Sequence, residues 1–533
     1  MKSNGLGFHR PIAFWAGCAA IAAGVCAHLP MFIHASYMGY QMAGMEMDGL
    51  MLAGMAMIPA GLLLAAYGLL PRVARMRSGG PEAPLQFHVV DGAPLNREHW
   101  KLVLVLVLAL TVDVLKPATL GFVMPGLTSE YGITKQSAGL LALVALTGTT
   151  AGSVLWGRIA DRFGRRAAIL LSALMFIGTA ICGAMPAFEW NLLMCFLMGA
   201  SAGGLLPITF TLMAETVPAA HRGWLLVALG GIGTSAGYLL AAGSAALLEP
   251  LFSWRVLWLL GLPTGALIIF LDRHIPESPR FLASAGLNRE ARAVLARFSG
   301  LVDHAGAAAA PLAGVTNDGS MRALLRGGHA AITLGLLACG LAWGLVNFGF
   351  LLWLPTNLGS MGMDPGAASA LLARSALLAL PGMLLVIWLY HRWSSVRTLV
   401  LFIVLTAATL LAFFAASVAG VRSAPVMIAI TALLLISSSG VIAMLIPYAA
   451  EIYPAHLRAT GSGMIAASSK AGGILGAAGG VLGLFGNLGL SALVIAAPLA
   501  LSAAMLMRSG IETRGRRLEQ IQADLLKFKG VGG

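Results

Sequence analysis

The sequence predicts an all-α integral membrane protein, in which an N-terminal two-helix hairpin precedes two related six-helix bundles. Three observations predict it. First, the 533-residue chain is 58% hydrophobic and 10% charged, with a mean hydropathy of +0.86, whereas soluble domains average about 25% charged residues. Second, apolar runs of about 20 residues, the length that crosses a bilayer, recur along the whole chain and give about 14 spans. Third, a polar phrase is written twice. Glu215-Thr216-Val217-Pro218-Ala219-Ala220-His221-Arg222 returns as Glu451-Ile452-Tyr453-Pro454-Ala455-His456-Leu457-Arg458, 236 residues later. A second echo sets Glu277 against Glu512, 235 residues apart. Parallel repeats in a membrane are a way to build a midplane site that faces either side in turn.

In chain order, the apolar runs fall near 11–35 and 49–71, and a polar stretch at 72–99 follows. Twelve more lie near 101–125, 137–157, 166–186, 190–212, 224–247, 254–271, 329–354, 366–389, 397–418, 424–449, 460–484 and 487–507. The 66 glycines suit close helix contact, since small residues let backbones approach in lipid. The longest polar interruption, 272–328, divides the core twelve into six and six, and Asn288 to Ser299 within it can form a short amphipathic helix. The expected organisation is a Met/His-rich hairpin (1–75), a cytoplasmic linker (76–99), a first bundle (100–272), a central cytoplasmic loop (273–328), a second bundle (329–507) and a cytoplasmic tail (508–533).

Charge orients these runs. One set of loops holds Arg158, Arg162, Arg165 and Arg166, then Arg273 to Arg326, then Arg508 to Lys529. The opposite set holds Glu46, Asp48, Glu130, Glu189, Glu249 and Asp364, with only Lys135 and Arg422 basic. Basic loops stay in the cytoplasm, so both termini are expected there, in an inner membrane. Lys2 and Arg10 before an apolar run have the shape of a signal peptide, but no small-x-small site follows, and the run is read as a retained helix. A net charge of +13 raises nucleic acid as a partner. Its charges lie in short loops rather than on one face with interleaved aromatics, which excludes that class. Cys18, Cys26, Cys182, Cys195 and Cys339 are scattered in apolar stretches and read as packing residues, neither a disulfide frame nor a zinc site. No nucleophile–base or metal–water constellation is present, so neither an enzyme nor a cofactor is expected.

Between the second and third core runs stands Gly157-Arg158-Ile159-Ala160-Asp161-Arg162-Phe163-Gly164-Arg165-Arg166. Four basic groups beside one Asp at a cytoplasmic helix end can pair with helix C-termini and acidic neighbours, a network that locks one conformation and breaks in another. Plain topology needs basic residues too, but not this spacing of Gly, Asp and Arg. The string closely resembles the loop signature of the major facilitator superfamily. Glu215…Arg222, Pro276-Glu277-Ser278-Pro279-Arg280, Glu451…Arg458 and Glu512-Thr513-Arg514-Gly515 resemble the branch holding sugar porters, organic-ion transporters and aromatic-acid:proton symporters. The resemblance covers about residues 100–520. It implies two six-helix bundles with pseudo-twofold symmetry, alternating access, and a cytoplasmic charge relay formed by Asp161, Arg162, Arg165, Glu215, Arg222, Glu277, Arg280, Glu451, Arg458 and Glu512.

Within that branch, sugar porters carry Gln/Asn-rich patterns in the fifth and seventh helices. Here Gly230 to Gly243 and Cys339 to Leu354 contain no Gln, and few amides suit few sugar hydroxyls. Phe350-Leu351-Leu352-Trp353-Leu354-Pro355-Thr356, together with Asp113…Ala118-Thr119-Leu120-Gly121-Phe122-Val123-Met124-Pro125, resembles the aromatic-acid symporters instead. Three departures stand out: Lys116 where the symporters have a second Asp, Cys195 where the fourth-helix signature begins with Arg, and His391 where the second half should repeat Asp161.

Charges inside spans are expensive and mark function by default. Asp113 lies about 18 Å into the first core helix at 1.5 Å per residue, near the midplane, and Lys116 is one turn further on the same face. The two form either a coupling site, with Lys116 for a substrate carboxylate and Asp113 for a proton, or a structural ion pair. Arg374 in the eighth core helix and Lys470 in the eleventh are further cations that bind substrate or snorkel outward. Trp343 and Asn347, one turn apart on the seventh, offer a stacking face and an amide, unless Trp343 faces lipid or core. Three intramembrane cations against one acid favour an anionic cargo.

In the hairpin, His28, Met31, His34, Met38, Met42 and Met45 lead a stretch holding Met47, Met51, Met55 and Met57 as well. Thioether and imidazole ligands suit Cu(I), whereas Met also serves as adaptable packing. The expected function is secondary active transport of a small organic anion, aromatic or another carboxylate, driven by the proton gradient. The expected partners are that substrate and the lipid bilayer, and the expected state is monomeric. The alternatives are a copper-linked membrane protein acting through the hairpin and a transporter-derived sensor.

Overall fold

A chain segment in lipid must satisfy its backbone hydrogen bonds internally, and in the computed structural model the described residues form helices and no strands. These residues are 9–70, 93–299, 324–325, 330–360, 362–421, 423–453, 455–484 and 487–513. Most of the expected linker, central loop and tail lies outside them.

Two helices come first, α1 (Pro11–Cys26) and α2 (Gly49–Leu69). Asp48 caps α2 by accepting the Met51 N–H at 2.7 Å. The pair packs through glycines. A Cβ on Gly17 would lie 2.6 Å from the Gly61 carbonyl oxygen, and one on Gly24 2.7 Å from that of Gly54, so backbones touch where side chains would not fit.

The first bundle is α3 (Arg97–Tyr131), α4 (Lys135–Phe163), α5 (Arg165–Gly178), α6 (Phe188–Thr216), α7 (Ala219–Phe252) and α8 (Val256–Phe270). Asn96 begins α3 with a capping box. Its side chain accepts the N–H groups of Glu98 and His99, and the Asn96 N–H donates to Nδ1 of His99. Pro117 and Pro125 lie inside α3 without ending it. A helix does form over Asn288–Ser299, and its Arg297 and Phe298 carbonyls accept the Asn96 amide, which ties it to the inner end of α3.

The second bundle is α9 (Ala330–Gly359), α10 (Pro365–Arg392), α11 (Ser395–Val418), α12 (Ala424–Ile452), α13 (Ala455–Val481) and α14 (Leu488–Ser509). A π-helical turn over Val346–Leu351 interrupts α9. The halves meet along α3–α9, α4–α13 and α7–α10. The seam is tight near Leu352 and Trp353: a Cβ on Gly121 would lie 2.7 Å from the Leu352 carbonyl oxygen, and one on Gly139 2.8 Å from the Trp353 ring.

By length and apolarity, 12 of the described helices qualify as spans, fewer than expected. The region read as one span near 254–271 is only the short apolar helix Val256–Phe270. The helix α13 is rich in Gly and Ser and carries Lys470, which lowers its hydropathy. The hairpin packs on the outside of α5, with Ile58 of α2 against Gly178, and 94% of the most apolar stretch of Arg165–Ala184 is buried.

Candidate functional site

The face expected to be cytoplasmic is built on two carboxylates, each capping a helix. Glu277 is 3% exposed. It accepts the Arg165 N–H at 2.7 Å and the Arg166 N–H at 3.3 Å, and so closes the amino end of α5 with a negative charge at the positive end of the helix dipole. Burial pushes Glu277 up to about 7, against the opposing pull of the Ser278 and Arg165 amides. Beside it, the Ser278 hydroxyl donates to Glu215, and the Arg165 guanidinium stands 3.9 Å from the same carboxylate. Arg166 pairs with Asp272 at 2.7 Å, a partner that the sequence reading did not single out. Arg222 donates to the Val217 carbonyl at 3.2 Å, while Arg162 and Arg280 are exposed. The side chains of Asp161 and Arg458 lie outside the described residues.

The second half repeats this arrangement with hydroxyls. Glu512 accepts the Ser395 N–H at 3.0 Å, the Ser395 hydroxyl at 2.7 Å and the Ser394 hydroxyl. Thr513 donates to Glu451 at 2.6 Å, as Ser278 does to Glu215, and Tyr390 adds a donor at 3.1 Å. Ser395 occupies the repeat position of Arg165. Arg165 thus stands beside Glu215 in the first half, where hydroxyls of Ser395, Thr513 and Tyr390 reach the carboxylates of the second. The halves touch here: a Cβ on Gly223 of α7 would lie 3.1 Å from the Glu451 carboxylate.

At mid-depth, Asp113 and Lys116 come together as expected, both buried, with Lys116 Nζ 3.5 Å from Asp113 Oδ1. The ammonium also stands 3.5 Å from the Ser201 hydroxyl and 3.9 Å from the centre of the Phe176 ring. It points into the first bundle, toward α5 and α6, and away from the seam. From the other half, Lys470 of α13 donates to the Ser153 hydroxyl of α4, and its charge reaches Asp113. Ser153 in turn donates to the Thr149 and Gly203 carbonyls, each at 2.8 Å.

Trp343 and Asn347 converge on one serine of α12. The Trp343 indole N–H donates to the Ser438 carbonyl at 3.0 Å, and the Asn347 amide donates to the Ser438 hydroxyl at 3.1 Å. Asn347 lies in the π-helical turn of α9, a local widening that recurs at functional positions. Arg374 does not join these groups. It is exposed on α10, where Leu377, Leu378, Leu384, Leu385 and Trp388 are exposed as well. This is the lipid-facing side of a membrane helix, and a long side chain there carries its charge toward the interface.

The hairpin's methionines pack rather than converge on an ion. Met31, Met42 and Met51 are buried with Phe32, Ala35 and Ala184 in one apolar cluster, and Met38 is 49% exposed. His28 donates from Nδ1 to the Gly24 carbonyl, 2.9 Å away. The copper reading has no support in this packing. What anchors the hairpin is a pair that the sequence reading overlooked. Glu130 accepts the Met42 and Ala43 N–H groups at 2.6 and 3.1 Å and the Trp254 indole at 3.0 Å. It is also held by Arg255 at 2.6 Å. Arg255 is fully buried and donates onward to the Gly183 and Met185 carbonyls. An Arg inside an otherwise apolar run was the available signal.

The comparisons with known proteins agree with this fold. The family model described as Major Facilitator Superfamily matches residues 102–477. The niacin transporter NiaP of Acinetobacter baylyi is 29% identical over 444 residues, covering 81% of this chain and 98% of the relative. The 4-hydroxybenzoate transporter PcaK of Pseudomonas aeruginosa is 31% identical over 438 residues, covering 78% and 94%. The xylose transporter XylE from E. coli, in a partially occluded inward-open structure, superposes with a TM-score of 0.63 at 17% identity, over 79% of this chain and all of that one; this likeness shows the fold alone. The chain is a multi-pass membrane transporter, not an enzyme, and it belongs to the major facilitator superfamily, in the branch of the aromatic-acid transporters.

Proposed function

We propose that the protein moves a small aromatic or other carboxylate across the inner membrane by alternating access, as a monomer with both termini in the cytoplasm, coupled to protons through Asp113. The observation that carries this reading is the position of Lys470. It is the intramembrane cation at the seam, bonded across it to Ser153 and electrostatically in reach of Asp113. A substrate carboxylate replaces Ser153 as its partner. A proton on Asp113 then leaves Lys116 charged, so substrate and proton load together and offset each other. Trp343 and Asn347, on the same half as Lys470, supply the aromatic wall and the amide. The names of the relatives, niacin and 4-hydroxybenzoate transporters, support the same substrate class.

Uptake of labelled nicotinate, 4-hydroxybenzoate and an aliphatic carboxylate into proteoliposomes, with and without an inward proton gradient, tests this. Gradient-stimulated accumulation of at least one aromatic acid is expected. Counterflow without stimulation overturns the coupling, and no counterflow of any acid overturns transport of this class in favour of a sensor.

A further inference from the structure

Inside the first bundle, away from the seam, lies a small cavity lined by Lys116, Thr119, Phe176, Thr179, Met198 and Trp258. Its polar atoms are unusual in their balance. The Lys116 ammonium has three protons and meets only two oxygens, both at 3.5 Å, well beyond the 2.7–2.9 Å of a charge-assisted hydrogen bond. Trp258 is 5% exposed, and its indole N–H has no partner among the described residues. The two threonine hydroxyls have already given their protons, Thr119 to the Leu115 carbonyl at 2.8 Å and Thr179 to that of Phe176 at 2.7 Å. The cavity is thus lined by a cation and by a residue with an unpaired donor, and no Asp or Glu is among its lining residues. A buried donor left unpaired costs free energy, and a group that accepts from both nitrogens removes that cost.

We propose that this cavity is a binding site for a single small monovalent anion, a halide ion, held between Lys116 Nζ and the Trp258 indole N–H. A compact ion fits walls made of the Phe176 ring, Met198 and the backbone at Gly261, where a carboxylate would bring a bulky apolar tail. The site competes with Asp113, on the other side of the same ammonium. When Asp113 is ionised it shares Lys116, and when it is neutral the halide has the ammonium to itself. No charged group from α5, α6 or α8 lines the cavity. Among the described residues, Lys470 of the second bundle also acts on Asp113. The halide would be a charge-balancing occupant inside the first bundle, separate from any substrate on the seam.

The experiment uses the full-length protein in detergent, without substrate, so its outcome is independent of transport. Thermal unfolding is followed while sodium chloride or sodium bromide replaces sodium gluconate at constant ionic strength, and crystals grown in bromide are examined for an anomalous peak between Lys116 and Trp258. A saturable halide-specific rise in Tm is expected. Trp258→Phe, which keeps the ring and removes the donor, should raise the half-saturating halide concentration roughly tenfold, as the loss of one hydrogen bond to a charged group implies. Lys116→Met should abolish the effect, and Asp113→Asn should strengthen binding. Equal Tm in chloride and gluconate, with no bromide peak, means that the cavity holds water only and overturns the proposal. A halide effect unchanged in Trp258→Phe overturns it too, by placing the ion elsewhere, and this arm stands even where Lys116→Met fails to fold.

Discussion

A Cβ added to Gly164 would lie 2.1 Å from Oε2 of Glu277. The glycine has φ +104°, in the region that L side chains rarely adopt, and it leaves room for the carboxylate to reach the N–H groups at the start of α5. The second glycine of the loop signature, Gly157, has nothing within 4 Å of its Cβ position.

The two glycines should therefore respond oppositely to alanine. Gly164→Ala carries backbone strain of about 1–3 kcal/mol plus the clash with Glu277, and should lower Tm and abolish transport. Gly157→Ala, inside α4, should be neutral or stabilising by about 0.5–1 kcal/mol. Thermal unfolding of both variants checks this, and equal losses would show that the signature acts by some means other than this contact.

Glu277 predicts a pH dependence. Its carboxyl sits at about 7 in the folded protein against an ordinary 4.5. A raised folded value means that the folded state binds the proton more tightly. The contribution to stability is fully present below pH 4.5 and is lost as pH rises through 7. Unfolding of the wild type should become easier across that window, and Glu277→Gln should flatten the trend. A trend of the same slope in the variant would assign it to another group.

The anchor of the hairpin should be costly to break. Arg255→Met leaves Glu130 with its two hairpin amides but without its buried cation. Removing one partner of a buried pair costs about 3–5 kcal/mol. Arg255→Lys should rescue little, because an ammonium cannot donate at once to Glu130, Gly183 and Met185 as the planar fork does. Denaturation of both variants in detergent, together with protease sensitivity of the loop around Met42, reads this out. Full recovery in Arg255→Lys would mean that charge alone suffices.

Two cations that look equivalent in the sequence should separate in transport. Lys470→Met removes the seam cation and should raise the KM for an aromatic acid roughly tenfold or more, the range of a lost charge-assisted bond. Arg374→Gln should leave KM within about twofold, since an exposed charge on the lipid face contributes little. Initial-rate uptake on both variants decides, and the reverse order would place Arg374 on the substrate path.

Much was legible without coordinates. Hydrophobic run length and the repeated Glu…Pro…Arg phrase are local or periodic properties, and they lead directly to helices and halves. The pairing of Asp113 with Lys116 was legible too, because residues three apart on a helix share a face whatever surrounds them.

Which way each face turns was decided only in three dimensions. Successive residues of a helix point about 100° apart, so the choice among seam, bundle interior and lipid belongs to the neighbouring helices. That choice sends Lys116 toward Phe176 and Trp258, Arg374 toward lipid, and Lys470 across the seam to Ser153. The same holds for the hairpin. Composition marked its methionines, but packing with Phe32, Ala35 and Ala184 turned Met31, Met42 and Met51 into an apolar cluster, and Glu130 with Arg255 holds the hairpin to the protein. The sequence by itself determined a two-bundle transporter in which a Glu…Pro…Arg phrase recurs in both halves. Tertiary structure decided which charges meet, because long-range contacts between helices depend on rotations that no single helix encodes.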